Sequence, residues 1–432
     1  MGIVLFGLAV FSALLTWNAF HPATRPAALA AVSFFAGWYV DELALHHVFG
    51  QALTVLFILW RGGGSADGWA IAGGAIFVAS WVGLWVRFEG ARSAAIAMEA
   101  ALRDTLGADL AAADAAHAIE PPADSDTWRL VMPFPNRHES VESTRGIRYR
   151  SVGGIDLKLD IHRSRSHPTG APVLVYVHGG GWTIGFRERQ GLPLMQHLAA
   201  RGWVCASVGY RLSPRATFPE HLHDVKAGIA WVREHIAEYG GDPAFIVIAG
   251  GSAGGHLAAL AALTSGDASL QPGFEGADTH VDGCVPIYGI YDFLDRDGLW
   301  PHRGFVGLLE RLVMKSSAER DPKAWDRASP IAHVKPDAPP FLVVHGSSDT
   351  MVPVATARRF ADTLGAVSHA PVVYAEIPGA QHAFDQFPSR RSLAVVRGIA
   401  RFVEWLYQHH RAGKKPASVV AEAIKEVDAI AP

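Results

Sequence analysis

The feature that most constrains the fold is a serine flanked by small residues at the junction of two different apolar patterns. Residues 250–254 read Gly-Gly-Ser-Ala-Gly; they follow the continuous apolar run 245–249, typical of a buried strand, and precede the helix-like stretch 256–260. A turn this tight tolerates few side chains and leaves the serine hydroxyl exposed. The junction therefore predicts an α/β fold with Ser252 as a candidate nucleophile, although one such pentapeptide in a chain with 44 glycines is a modest signal.

Two later loops carry the groups that a serine nucleophile needs. Asp349 and His382 each lie just after a strand-like run. The order serine, acid, histidine is that of the α/β-hydrolase triad and differs from the chymotrypsin and subtilisin orders. We expect His382 to take the proton of Ser252 and return it to the leaving group, while Asp349 orients the imidazole.

A second carboxylate, Asp385, is the alternative acid because it lies three residues after His382. We favour Asp349, since a carboxylate so close in the same loop rarely reaches the ring edge that faces away from the serine. His345, at a strand end, is interpreted as a packed histidine without a catalytic role.

A glycine run supplies candidate oxyanion donors. Residues 178–182 read His-Gly-Gly-Gly-Trp and follow the strand-like run 172–177. Backbone amides in such a run can face a developing oxyanion without obstruction by side chains, so the amides of Gly179, Gly180 and Ala253 are the predicted donors. A phosphate-binding loop is the alternative, but the lysine and the serine or threonine that would follow it are missing.

These segments together resemble the hormone-sensitive-lipase-like esterases of the α/β-hydrolase superfamily and, more narrowly, the membrane-anchored carboxylesterases of actinobacteria. The motifs are His178-Gly179-Gly180-Gly181-Trp182, Tyr210-Arg211-Leu212-Ser213-Pro214, Gly240-Gly241-Asp242-Pro243, Gly250–Gly255, His345-Gly346-x-x-Asp349 and Gly379-x-x-His382. The resemblance covers about residues 128–410 and implies the same nucleophile, acid, base and oxyanion donors. Many members of the wider family have aspartate before the nucleophile, where this chain has Gly251.

The N-terminal region has a different composition. The chain is 50% hydrophobic and only 18% charged, and this bias comes from residues 1–90. The charged residues of that region are Arg25, Asp41, Glu42, Arg61, Asp67, Arg87 and Glu89. A spanning helix takes about 20 apolar residues, so 3–20 and 69–88 each qualify, and 27–60 is long enough for one tilted helix or two short ones. We expect three or four spans.

Four ionisable residues, Asp41, Glu42, His46 and His47, interrupt the middle stretch. They are either functional groups inside the bilayer or a polar turn between two short helices among the headgroups, and we favour the turn. A metal site at the two histidines is disfavoured because adjacent helical residues point in different directions. Arginines 87, 92 and 103 flank the last span, so the positive-inside rule places the catalytic domain on the cytoplasmic side of a bacterial cell membrane.

Other classes of partner find no support. A net charge of −3 gives no electrostatic basis for nucleic-acid binding, and no motif indicates a metal or a cofactor. The two cysteines lie in strand-like runs and are interpreted as core residues. The expected organisation is a transmembrane helical region over 1–90, a helical connector and linker over 91–127, a catalytic domain over 128–412 whose mostly parallel sheet carries helices on both faces, and an amphipathic helix over 413–432.

The functional prediction is a membrane-anchored serine esterase that acts on apolar, small-molecule or lipid esters through an acyl-enzyme. An amidase, a formamidase or an acyltransferase could use the same triad, and a non-catalytic module on a hydrolase fold is the alternative of another class.

Overall fold

The structure is a computed structural model that describes residues 1–61, 67–116, 129–134, 137–167, 169–414 and 416. The end of the connector and linker predicted over 91–127 and nearly all of the C-terminal helix predicted over 413–432 lie outside the described residues.

A single mixed sheet forms the centre of the catalytic domain. Its eight strands lie in the order β1-β2-β4-β3-β5-β6-β7-β8. The first two strands form an antiparallel hairpin, β2 is also antiparallel to β4, and all other neighbours are parallel, so the sheet is mostly parallel as predicted. The strands are β1 (Val141–Val152), β2 (Ile155–Ser164), β3 (Ala171–Val177), β4 (Val204–Val208), β5 (Gly241–Gly251), β6 (Gly283–Ile287), β7 (Phe341–Gly346) and β8 (Val372–Ile377).

Both faces of this sheet are covered, which explains why its central strands are continuously apolar. Along β3, Val173 and Val175 belong to the core on one face, and Leu174 and Tyr176 belong to the core on the other. Helices α7 (Glu220–His235), α8 (Ala253–Leu263) and α11 (Val354–Gly365) pack on the first face, with α6 (Leu192–Ala200) and α12 (Arg390–Arg411) on the second. The short helices α9 (Gly304–Leu308) and α10 (Pro322–Arg327) belong to the segment of chain that connects β6 to β7.

The helix predicted in the connector is also part of this core. Helix α5 (Ser93–Ala116) buries Met98, Leu102 and Leu106 in the cluster that covers the second face of the sheet. Its backbone leaves helical geometry at Gly107, which has a φ of 58°. Residues 93–110 therefore pack against the catalytic domain.

Four apolar helices precede this domain: α1 (Gly2–Phe20), α2 (Ala27–Glu42), α3 (Ala44–Arg61) and α4 (Gly68–Gly90). Among the described residues, two helical segments, one being α1 and the other beginning with α4, are long and apolar enough to cross a membrane. Helices α2 and α3 meet at an angle of 89°, and the count becomes three if they form one broken span. Length and hydropathy thus allow two or three spans among the described helices, and the number of spans stays a prediction.

The favoured interpretation of Asp41 and Glu42 is wrong in one respect. The predicted break between two short helices is present at Leu43. The two carboxylates are buried rather than exposed, however, and they form ion pairs with Arg87 and Arg391. Burial of a carboxylate is tolerated when a cation is paired with it, and here one of the two cations, Arg391, comes from the catalytic domain.

Candidate active site

Ser252 lies in the turn between β5 and α8, as the sequence predicts. Its φ is 56° and its ψ is −122°, a strained conformation for a residue with a side chain. The neighbouring glycines make the turn possible: a Cβ at Gly250 would lie 2.5 Å from the Gly254 carbonyl oxygen, and one at Gly254 would lie 2.1 Å from the Val177 carbonyl oxygen. The conformation of this turn places the serine hydroxyl at the carboxyl end of the sheet.

The structure brings the three predicted catalytic side chains together. His382 Nε2 lies 2.9 Å from Ser252 Oγ, and His382 Nδ1 lies 2.7 Å from Asp349 Oδ2. The acid comes from the loop after β7 and the base from the loop after β8. A proton on Nδ1 can therefore be donated to the carboxylate, which leaves Nε2 free to accept the serine proton.

Asp349 is fixed by four hydrogen-bonding groups. The amides of Met351 and Val352 each donate to Oδ1 over 2.8 Å, while His382 and His345 approach Oδ2. Burial alone would raise the pKa of Asp349, but the two histidines outweigh this effect and hold it well below the ordinary value. The carboxylate is therefore ionised at neutral pH.

His345, to which the sequence assigned no role, is thus a neighbour of the acid. Its Nε2 lies 3.3 Å from Asp349 Oδ2 and 3.0 Å from the Val352 carbonyl oxygen, and its side chain is fully buried. The spacing of four residues within the segment 345–349 was the only available signal, and it is also compatible with simple packing.

The alternative acid, Asp385, has a different partner. It is buried and accepts a hydrogen bond from the hydroxyl of Tyr288. Burial raises the pKa of Asp385. The same tyrosine fills the space beside Gly251, where a Cβ would lie 2.8 Å from its Oη. The ring of Tyr288 also lies beside the imidazole of His382, with ring centroids 4.7 Å apart and planes tilted by 55°.

The glycine run differs from the expectation at one position. The amide of Gly179 donates to Gln190 Oε1 over 2.7 Å, so it is not free to bind an oxyanion in this conformation. The amides of Gly180, Gly181 and Ala253 have no acceptor among the described residues. Two of the three predicted donors therefore remain available.

His178, Tyr210 and Arg211 make structural contacts beside this run. The hydroxyl of Tyr210 donates to the His178 carbonyl oxygen over 3.0 Å, and its ring stacks on the His178 imidazole. Burial lowers the pKa of His178 to about 4, so this histidine is neutral at physiological pH. Arg211 is bound to the buried Asp224 by its side chain and its backbone amide.

The described residues contain no group of three or more histidine, cysteine or acidic side chains that could hold a metal ion. His46, one of the pair considered for metal binding, forms a hydrogen bond with the Val131 carbonyl oxygen over 2.9 Å.

Helix α2 of the N-terminal region lies directly beside the candidate site, which the sequence did not predict. The ring of Phe34 is 5.9 Å from the imidazole of His382 in an edge-on arrangement. The indole nitrogen of Trp38 donates to the Ala383 carbonyl oxygen over 2.7 Å. These contacts join residues more than 300 positions apart, so no local pattern could indicate them.

The strand order, the elbow after β5 and the positions of the acid and base define the α/β-hydrolase fold. The model of the BD-FAE family matches residues 159–364. Probable carboxylic ester hydrolase LipM of Mycobacterium tuberculosis is 41% identical over 423 residues, which cover 96% of each chain. Esterase LipQ of the same organism is 46% identical over 286 residues, covering 66% of this chain and 67% of LipQ.

Solved structures agree with these relatives. A butyrate-bound esterase of Thermogutta terrifontis matches with a TM-score of 0.51 and 27% sequence identity, covering 62% of this chain and 94% of that one. The chain therefore belongs to the hormone-sensitive-lipase-like family of α/β-hydrolases, and it is an ester hydrolase of the carboxylesterase and lipase type.

Proposed function

We propose that this chain is a membrane-anchored serine carboxylesterase that hydrolyses apolar carboxylic esters through an acyl-enzyme intermediate. The observation that supports it most strongly is the hydrogen-bonded series from Ser252 Oγ through His382 to Asp349, with distances of 2.9 and 2.7 Å.

The first half of the reaction acylates the serine. Ser252 Oγ attacks the carbonyl carbon while His382 Nε2 takes its proton, and Asp349 stabilises the resulting imidazolium. Collapse of the tetrahedral intermediate breaks the bond to the alcohol oxygen, which receives that proton from His382. Water then attacks the acyl-enzyme with His382 again acting as base, and the carboxylic acid is released.

The negative charge that develops on the carbonyl oxygen needs donors that are already in place. We assign this role to the amides of Gly180 and Ala253, with Gly181 in place of Gly179. The hydrogen bond from Gly179 to Gln190 supports this change, because an amide that already has an acceptor contributes less to a new one.

Anchoring in the membrane is supported by α1 and α4, which have the length and hydropathy of spanning helices. Large side chains on their outer faces are exposed, among them Phe11 and Trp17 of α1 and Ile71 and Val82 of α4. The cytoplasmic location of the catalytic domain is supported by Arg92 and Arg103.

The test is hydrolysis of p-nitrophenyl butyrate by the detergent-solubilised full chain. We expect Ser252→Ala to lower kcat by about 10⁶-fold, whereas the exposed-serine control Ser269→Ala retains wild-type activity. Residual activity of the Ser252 variant close to wild type would refute the assignment. An initial burst of about one p-nitrophenol per active site would support the acyl-enzyme intermediate. The absence of a burst, together with direct transfer of the acyl group from the ester to water, would contradict this intermediate.

A further inference from the structure

Helix α2 is attached to both loops that carry the candidate acid and base. Next to the acid, the hydroxyl of Thr350 donates to the Ala30 carbonyl oxygen over 3.2 Å. Next to the base, Trp38 donates to the Ala383 carbonyl oxygen and stacks on Phe387 with ring centroids 5.0 Å apart. The helix is therefore fixed across the loops rather than lying loosely near them.

Two ion pairs fix the end of the same helix. Arg87 donates to Asp41 Oδ1 over 2.7 Å and to the Gly379 carbonyl oxygen over 2.8 Å, and Gly379 belongs to the loop of the base. Glu42 pairs with Arg391 and accepts a hydrogen bond from Ser389. Since these charges are buried, the position of α2 relative to His382 is strongly determined.

The helix presents two different surfaces. Phe34 and Trp38 are half-buried and border the loop of His382. Phe35, the next residue after Phe34, is 63% exposed, and Val32 and Tyr39 are exposed with it. Only the first pair of side chains is in a position to meet a substrate held at the triad.

The chemistry of acylation indicates which part of the substrate Phe34 and Trp38 would contact. When the acyl carbon bonds to Ser252 Oγ, the departing alcohol oxygen must accept its proton from His382 Nε2. The alcohol part of the ester therefore leaves Ser252 on the side of the imidazole. The edge-on contact of Phe34 with the same imidazole places α2 at that side.

Segments next to the candidate site residues also expose apolar side chains. Ile184 and Phe186, in the loop after the glycine run, are 69% and 59% exposed, and Met351, next to Thr350, is 39% exposed. A charged or sugar-like alcohol would find few hydrogen-bond partners there, whereas an alkyl or aryl group would be desolvated by these side chains.

We propose that α2 forms the alcohol-binding wall of the active site and that Phe34 and Trp38 select esters whose alcohol part is large and apolar. This inference rests on the serine esterase function proposed above. It gives a helix of the N-terminal region a part in substrate specificity in addition to anchoring.

The experiment varies the alcohol while the acyl group stays constant. For a series of acetate esters from methyl to octyl, we expect Phe34→Ala to reduce the preference for octyl over methyl acetate, measured as the ratio of kcat/KM values, by about 10-fold. Phe35→Ala is the matched control, and its ratio should stay within about 2-fold of wild type because that ring, although next to Phe34, is 63% exposed. Phe34→Leu should give an intermediate ratio.

Deacylation provides the second readout. All acetate esters form the same acetyl-enzyme, whose hydrolysis takes place after the alcohol has left, so Phe34→Ala should leave the deacylation rate constant as in wild type. A slowed deacylation in Phe34→Ala would mean that the ring positions His382, since the histidine acts in both steps, and it would overturn the proposal. Identical octyl-to-methyl ratios in the Phe34 and Phe35 variants would overturn it too.

A series of esters with different acyl groups separates this proposal from its alternative, in which α2 binds the acyl chain. Methyl esters of acetic to octanoic acid should show the same chain-length profile in Phe34→Ala and in wild type; a change confined to this series would assign the wall to the acyl chain and refute our inference. Failure of the serine esterase proposal itself is recognised separately, as wild-type activity that persists in Ser252→Ala.

Discussion

The N-terminal helices and the catalytic domain place apolar and polar side chains in opposite ways. In the catalytic domain the large apolar residues are inside, with Trp182, Trp203 and Trp325 fully buried. In α1 the large residues Phe11 and Trp17 are exposed, and apart from Leu5 the buried residues are small or hydroxyl-bearing. The difference fits the membrane anchoring proposed above, because a helix surrounded by lipid gains little by burying large apolar groups and packs through small residues instead.

The buried carboxylate of the candidate active site and those of α2 have different partners. Asp349 is contacted by His382, a second histidine and two backbone amides, whereas Asp224, elsewhere in the same domain, pairs with Arg211. The N-terminal region has two buried carboxylates, Asp41 and Glu42, whose partners are arginines. We interpret Asp349 as a group that serves the chemistry, and Asp41 and Glu42 as groups that attach the N-terminal helices to the catalytic domain. Three predictions can test this interpretation.

The largest expected effect is on catalysis. Asp349→Asn retains the shape of the acid but removes the charge and the tautomer preference of His382, so kcat should fall by about 10⁴-fold with the fold preserved. Asp385→Asn is the matched control, since its carboxyl is paired with Tyr288, and we expect less than about a 10-fold loss. Ester hydrolysis and a thermal melt of both variants provide the measurement. Equal losses in the two variants would refute the choice of acid.

Removing a buried cation should weaken the attachment of α2 to the catalytic domain. Arg391→Leu leaves Glu42 buried without its partner, and we expect a loss of about 3–5 kcal/mol in the free energy of unfolding. The neighbouring Arg390 pairs with Glu89 at a half-exposed site and lies over the ring of Phe88. Arg390→Leu should therefore cost only about 1 kcal/mol. Thermal unfolding in detergent compares the two variants.

A double variant sharpens this test. Combining Arg391→Leu with Glu42→Leu removes both charges, and most of the lost stability should return because no unpaired carboxylate is left. If the double variant is no more stable than Arg391→Leu, the pair contributes through packing rather than charge, and our distinction between the two regions would fail.

The sequence predicted those parts of the molecule that depend on local pattern. The turn at Ser252 could be identified because the glycines at 250 and 254 are needed within one strand–turn–helix unit. Asp349 and His382 could be placed because both follow strands whose carboxyl ends must share one edge of a parallel sheet. The occupied amide of Gly179 could not be foreseen, since its acceptor, Gln190, lies in a loop without a recognisable motif.

The contacts between the two regions could not be predicted from the sequence, for a different reason. Glu42 and Arg391 are separated by 349 positions, and a carboxylate in an apolar stretch is equally compatible with a polar turn. Phe34 likewise looked like one more apolar residue of a spanning helix. Only tertiary packing distinguishes the ring that meets His382 from the adjacent one that faces outward.

The smallest expected effect concerns the packing of α1 on α4. Ser80 lies 2.7 Å from Thr16 and 3.1 Å from Ser12, with all three hydroxyls buried between the helices. Hydrogen bonds between spanning helices contribute on average about 0.6 kcal/mol, so Ser80→Ala should lower stability in detergent by about that amount. Thr54→Ala, whose exposed hydroxyl bonds only to its own helix, should leave the melting temperature unchanged. A loss of several kcal/mol for Ser80→Ala would show that this interface depends mainly on polar contacts, and the interpretation that α1 packs through its small residues would have to be abandoned.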